Sequence, residues 1–401
     1  MAAALLAVVG LVIAPAGTPS ATAATAPDLA GRQYVALGDS YSAGFGLTPY
    51  SEQPASGCYQ AEENYPHLVA AEFGLVLDDR TCSGATTLNI MNTPQLTITG
   101  AGTAPVQADA LTSDTDIVTV TIGGNDLGFA DVAETCIAES ANGPLVFDLI
   151  GVDLPDCRSY YAPVAGVDLL ADRLAGTVAP LLYQTFAMIA QRAPNAKVFV
   201  IGYPTIAPGA DVYPGGCYTS PMGTGPLGLD PPFPVDTFPF TAVDTIYLHE
   251  TEARLDAAIR AAADANGATY LSTLELTREH SACEPAGEAY ISGLTLMDDA
   301  TPANSTPIAG GYGMALGALH PNTAGVAFLS GQVIAAISEA FAVDPGTGSP
   351  DPVGSPAPVA APGPPQLAEG GGGFAALPWA AGAVLLLAAG FVLVRRRRAS
   401  V

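Results

Sequence analysis

Tyr34-Val35-Ala36-Leu37-Gly38-Asp39-Ser40-Tyr41-Ser42 is the stretch on which the reading of the chain turns. An apolar run of strand character breaks on a glycine and an acid, and a serine follows at once. A buried strand ending in such a turn lifts the serine to the carboxyl edge of a sheet, where α/β proteins bind ligands. Alone the pattern is weak, because many serines at strand ends only cap the next helix. Its weight comes from what the rest of the chain sets beside it.

Outward from this stretch a βα rhythm runs. Residues 33–37, 75–78, 117–122, 197–201 and 268–272 read as short, buried, β-branched strands. Helical patterns at about 61–73, 167–192, 246–265 and 323–340 lie between or after them. Such alternation predicts a parallel sheet covered by helices on both faces. Segments 130–165, 207–243 and 284–316 are rich in Gly, Pro and turn residues and break the rhythm. Each contains or adjoins a cysteine, so they read as stapled excursions from one domain spanning 32–343.

The chain has 401 residues, with 13 basic against 38 acidic and a formal net charge of −25. Such a surface repels nucleic-acid phosphates, so nucleic-acid binding is excluded. The six cysteines are Cys58, Cys82, Cys136, Cys157, Cys217 and Cys283, and none forms a Cys-x-x-Cys pair. An even count beside export signals predicts disulfides. Of the 15 possible pairings, sequence order favours Cys58–Cys82, Cys136–Cys157 and Cys217–Cys283.

The ends carry addresses. Residues 4–14 are apolar, too short to span a bilayer, and Ala-x-Ala cleavage candidates follow, so 1–26 read as a signal peptide. No Lys or Arg precedes Arg32, so the positive n-region is missing; a start upstream of Met1 or an uncleaved apolar arm is the alternative. Residues 344–373 are a Pro/Gly-rich linker that cannot bury a core. Residues 374–394 form an apolar run of 21, about 31 Å long as a helix and enough to cross a bilayer. Four arginines at 395–398 stop transfer and stay cytoplasmic, leaving the domain outside the cell. The tail also has the outline of a wall-sorting signal, but Leu367-Ala368-Glu369-Gly370-Gly371 lacks the threonine such a signal needs. Retention in the membrane is therefore expected.

Three further blocks bear on Ser40. Cys82-Ser83-Gly84 follows the second strand, and a glycine there lets a backbone N–H approach a ligand. Gly123-Gly124-Asn125-Asp126 follows the third and places the Asn125 amide over the same sheet edge. Leu319-His320-Pro321-Asn322 precedes the last helix, with Pro321 and Asn322 suited to its start and His320 left in the loop. Of the other histidines, His67 and His249 lie inside helical patterns, and His280, beside Cys283, is a weaker candidate for a base.

Together Gly38-Asp39-Ser40, Gly84, Gly123-Gly124-Asn125-Asp126 and His320-Pro321-Asn322 resemble the SGNH (GDSL-type) hydrolase superfamily over about residues 32–341. Gly-Asp-Ser-Tyr-Ser-x-Gly and the three-disulfide layout are most similar to secreted actinobacterial lipases and esterases. The resemblance implies a three-layer α/β/α sandwich around a five-stranded parallel sheet, flavodoxin-like in order. It implies Ser40 as nucleophile, His320 as base, and an oxyanion hole of the Ser40 N–H, the Gly84 N–H and the Asn125 amide. In strand order 2-1-3-4-5 the tips carrying Ser40 and Asn125 flank the switch point and face one crevice.

One departure stands out. The family places Asp three residues before the histidine; here that residue is Gly317, followed by Ala318 and Leu319. Either a backbone carbonyl holds the imidazole in a Ser–His dyad, which is favoured, or Asp298 or Asp299 folds in. Asp39 and Asp126 are expected to brace their own loops. The reading predicts an extracellular, membrane-anchored, monomeric esterase or lipase acting on an acyl ester, without cofactor or metal. A carbohydrate acetylesterase or phospholipase, or a non-catalytic acyl- or glycan-binding surface protein, is the alternative. Segment 226–240 either lines an acyl groove or, as favoured, is a plain surface loop.

Overall fold

The computed structural model describes residues 27–342 apart from 147–153, 226–227, 300, 302–303 and 308–311. The expected signal peptide, linker, membrane helix and basic tail lie outside the described residues.

Strand β1 (Gln33–Gly38) is central to everything that follows, with five of its six residues buried. It pairs in parallel with β2 (Val76–Asp79) on one side, Ala36 opposite Asp79, and with β3 (Ile117–Thr121) on the other, Gly38 opposite Thr121. β4 (Lys197–Ile201) and β5 (Thr269–Leu271) extend the sheet in parallel, giving the order β2-β1-β3-β4-β5. The connection therefore reverses between β1 and β3, and the crevice at that switch point is where a ligand site forms.

Both faces of the sheet are covered, which is why the strands read as continuous apolar runs. With period two, Tyr34 and Ala36 enter one core with Tyr65, Val69, Val326, Leu329, Val333 and Ile337. Val35 and Leu37 enter the other with Val118, Val120, Leu182, Phe186 and Ile259. Helices α2 (Tyr65–Phe73) and α6 (Thr323–Phe341) thus form one outer layer, and α4 (Ala179–Arg192) and α5 (Ala242–Ala265) the other. Among the described residues α6 is the helix long and apolar enough to cross a membrane. Its stripe of Val326, Leu329, Val333 and Ile337 is instead buried against the sheet.

Three helix boundaries differ from the sequence reading, each for a local reason. α2 starts at Tyr65 rather than 61, because Gln60–Ala61 pairs with Tyr50–Ser51 in a hairpin and Asn64 then caps the helix through the His67 N–H. α5 starts early, at Ala242, because the Thr241 side chain accepts from the Asp244 N–H. The long pattern ending at Arg192 runs as α3 (Leu169–Arg173), a π-turn at Leu174–Val178 and then α4, the π-turn lying just ahead of Pro180, which cannot donate its own hydrogen bond.

The disulfides are Cys58–Cys82, Cys136–Cys157 and Cys217–Cys283. The last two staple the irregular excursions. Within the expected surface loop, residues 228–240 do more than cover the surface. Val235 is exposed, but Phe238 and Phe240 are buried and line a small apolar cavity with Phe129 and Leu319.

Candidate active site

The end of β1 is built around Gly38, whose φ of 139° lies in the region that favours glycine; a Cβ there would stand 2.5 Å from the Thr121 carbonyl. The Gln107 side chain holds this turn from both sides, accepting from the Gly38 N–H at 2.8 Å and donating to the Gly38 carbonyl at 2.9 Å. Asp39 then caps the one-turn helix α1 (Ser40–Ala43), accepting from the Tyr41 N–H at 3.0 Å. Ser40 is its first residue and is buried apart from a small opening.

His320 Nε2 lies 2.7 Å from Ser40 Oγ, and its Nδ1 lies 2.8 Å from the Ala318 carbonyl oxygen. A carbonyl only accepts, so Nδ1 carries the proton and Nε2 receives the one the Ser40 hydroxyl donates. The rings of Tyr41 and Phe45 pack on the imidazole at centroid distances of 4.8 and 5.0 Å. Burial pushes its pKa down from 6.5 to about 4, against the Ala318 carbonyl, which raises it. Among the described residues no carboxylate is a hydrogen-bond partner of His320, and neither Asp298 nor Asp299 is brought to it.

The backbone explains why. Gly317 has φ 85° and backs onto Gly46, so a Cβ at 317 would stand 2.8 Å from the Gly46 Cα. A left-handed non-glycine residue alone costs about 1–3 kcal/mol. Gly317→Asp is therefore expected to lower the melting temperature by several degrees rather than supply a carboxylate. An unchanged melting curve would contradict this packing.

The Asn125 loop follows β3. Gly123, with φ 119°, makes the turn, and the Gly124 N–H donates to the Tyr203 hydroxyl at 2.9 Å. Asn125 Nδ2 donates one of its two hydrogens to the Ala85 carbonyl at 2.9 Å. Gly84, with φ 84°, lies in a loop anchored by the Cys58–Cys82 disulfide, the Cys82 N–H donating to Gly38 O and the Ser83 N–H to Cys58 O. Among the described residues neither the Ser40 nor the Gly84 N–H donates within the chain. The site thus holds a hydroxyl, an imidazole and unengaged donors.

The acids do more than the sequence reading assigned them. Asp39 braces its own turn, and also accepts from the Tyr203 hydroxyl, which ties it to the Asn125 loop. Burial pushes its pKa up to about 7, against hydrogen bonds from Tyr203 and Tyr41. Asp126 reaches beyond its own loop. It accepts from the Thr87 N–H at 3.0 Å and hydroxyl at 2.6 Å, joining the Asn125 and Gly84 loops. Gln107, Thr87, Tyr203 and Tyr41 are the supports that sequence reasoning missed; only Tyr41, next to the serine, carried a signal.

The other histidines are engaged elsewhere. His67 Nδ1 pairs with Asn64 Oδ1, His249 Nδ1 with the Ala207 carbonyl, and His280 Nδ1 with the Glu288 carbonyl while stacked on Tyr290. Among the described residues no cluster of three His, Cys, Asp or Glu side chains is placed to hold a metal.

Comparison with known proteins bears on the family and the fold. The model of the GDSL-like lipase/acylhydrolase family matches residues 36–328. The chain is 32% identical over 313 residues to Lipase 2 of Streptomyces coelicolor, covering 77% of this chain and 88% of that one. It is 32% identical over 274 residues to an esterase of Streptomyces scabiei, covering 65% and 74%. Among solved structures it resembles a phospholipase A1 from Streptomyces albidoflavus, with a TM-score of 0.51 at 24% identity, covering 77% of this chain and 100% of that one. An extracellular lipase from Streptomyces rimosus gives 0.50 at 23%, with the same coverage. On the matching model, the parallel sheet and the curated relatives, the chain belongs to the GDSL-like lipase/acylhydrolase family and is an ester hydrolase.

Proposed function

We propose that this hydrolase cleaves carboxylic esters through an acyl-enzyme on Ser40, with His320 as the base of a dyad. The observation that carries the reading is the 2.7 Å approach of His320 Nε2 to Ser40 Oγ. A serine hydroxyl is a poor nucleophile until a base takes its proton. His320 takes it as Oγ bonds to the ester carbonyl carbon. The oxyanion formed is met by the Ser40 and Gly84 N–H groups and the second Nδ2 hydrogen of Asn125. The imidazolium protonates the leaving alcohol as its C–O bond breaks; water, deprotonated by the same imidazole, then adds to the acyl carbon, and the imidazolium returns the proton to Ser40 Oγ as the acid leaves. The Ala318 carbonyl holds the ring and its tautomer throughout, the role a carboxylate has in a triad.

The three disulfides and the apolar leader support export, and the apolar run at 374–394 with its arginines supports retention at the outer face of the membrane. Substrates are acyl esters of lipids or of acylated small molecules. Hydrolysis of p-nitrophenyl esters from acetate to palmitate by the full chain tests the activity. Turnover of at least part of the series is expected, and none at any chain length would overturn it.

The acid limb follows from His320. The base works only when neutral, which it is above its pKa, so activity falls as pH drops through that value. With the pKa depressed to about 4, the acid limb of kcat/KM is expected nearer to 4 than to 6.5. A limb at the ordinary histidine value would contradict the desolvation of the ring.

A further inference from the structure

Tyr41 directly follows Ser40 in α1 and is buried. Its hydroxyl donates to the Leu319 carbonyl at 2.6 Å, across 278 residues of chain. That carbonyl belongs to the peptide bond leading into His320. Leu319 has φ 59°, a left-handed conformation that a branched side chain adopts only when its surroundings impose it. The same short loop is tied by the Leu319 N–H to Ser292 O at 2.9 Å and the Ser292 N–H to His320 O at 3.0 Å. The Tyr41 ring lies against the imidazole and is itself wedged edge-on against Tyr203, with centroids 4.9 Å apart.

We infer that Tyr41 is a positioning residue, which fixes the backbone carrying His320 and so sets the imidazole against Ser40 where no carboxylate fits. The inference rests on the reading of Ser40 and His320 given above. In a triad the carboxylate orients the ring from the side chain outward. Here the ring is held by the Ala318 carbonyl, a backbone group only as well placed as its peptide. The Tyr41 hydroxyl pins the next carbonyl along, so the strained turn cannot relax toward an ordinary conformation. Because Ser40 and Tyr41 share one helical turn, nucleophile and base are registered to each other through a single rigid element.

Tyr41→Phe keeps the ring and its packing and removes only the hydroxyl. In the full chain kcat is expected to fall about ten- to a hundredfold with KM changed less than about twofold, as for a misplaced catalytic group. The downfield Nδ1 proton resonance of His320 is expected in the wild type and lost to solvent exchange in the variant. Replacing Tyr41 with 4-aminophenylalanine restores a donor and should recover most of kcat. Wild-type kcat and a retained resonance in Tyr41→Phe would overturn the inference. So would a phenylalanine variant that loses its fold while the amino variant is fully active, since the hydroxyl would then be purely structural. Loss of the function reading is distinct: it requires wild-type protein without esterase activity, or Ser40→Ala with undiminished activity.

Discussion

Ser40→Ala is expected to lower ester hydrolysis by at least about 10⁴-fold, with His320→Ala close to it and the double variant no worse than the more damaging single one. In the proposed mechanism serine and imidazole act as one unit, because the hydroxyl gains its nucleophilicity only as its proton moves to Nε2, 2.7 Å away. Once either is gone the other contributes nothing further, so the two losses do not add. What survives is binding and oxyanion stabilisation. The Ser40 Oγ accounts for little of the fold, since the helix is capped by Asp39 and the turn held by Gln107. A normal melting curve should therefore accompany the loss. Additive losses on combining the two substitutions would show that they act in different steps.

Asn125→Ala is expected to cost about 10²–10³ in kcat, the range for removing one preorganised oxyanion donor. One Nδ2 hydrogen is spent on the Ala85 carbonyl, and that bond aims the other. The alanine variant loses both. The effect should fall on kcat more than KM, because the donor is strongest where negative charge develops. The fold cost is about one hydrogen bond, about 1 kcal/mol, as Gly123, Gly124 and Asp126 hold the loop independently. A variant within about threefold of wild type in kcat would remove Asn125 from the chemistry.

The layout was legible in the chain because it rests on local signals. Continuous apolar strands announced a sheet buried on both faces, and glycine punctuation marked the edges where Ser40, Gly84 and Asn125 emerge. The stop before α6 was readable from Pro321 and Asn322, which left His320 in a loop. What joins those edges was not readable. Tyr203 reaches Asp39 across 164 residues, and Gln107 reaches Gly38 across 69, through side chains with no local pattern. The absence of an acid at Gly317 was plain in the sequence, but its cause, the back-to-back approach of Gly46, exists only in three dimensions. Asp126 was read as a brace for its own turn because turn rules are local, whereas its partner Thr87 sits on another loop.

The central claim is that Ser40 is the nucleophile, and covalent trapping tests it most directly. Full-length protein treated with a fluorophosphonate and mapped by peptide mass spectrometry should carry one adduct, on Ser40. The adduct should be absent from Ser40→Ala and form far more slowly in His320→Ala. Equal labelling of Ser40→Ala, or no adduct on active wild-type protein, would contradict the account.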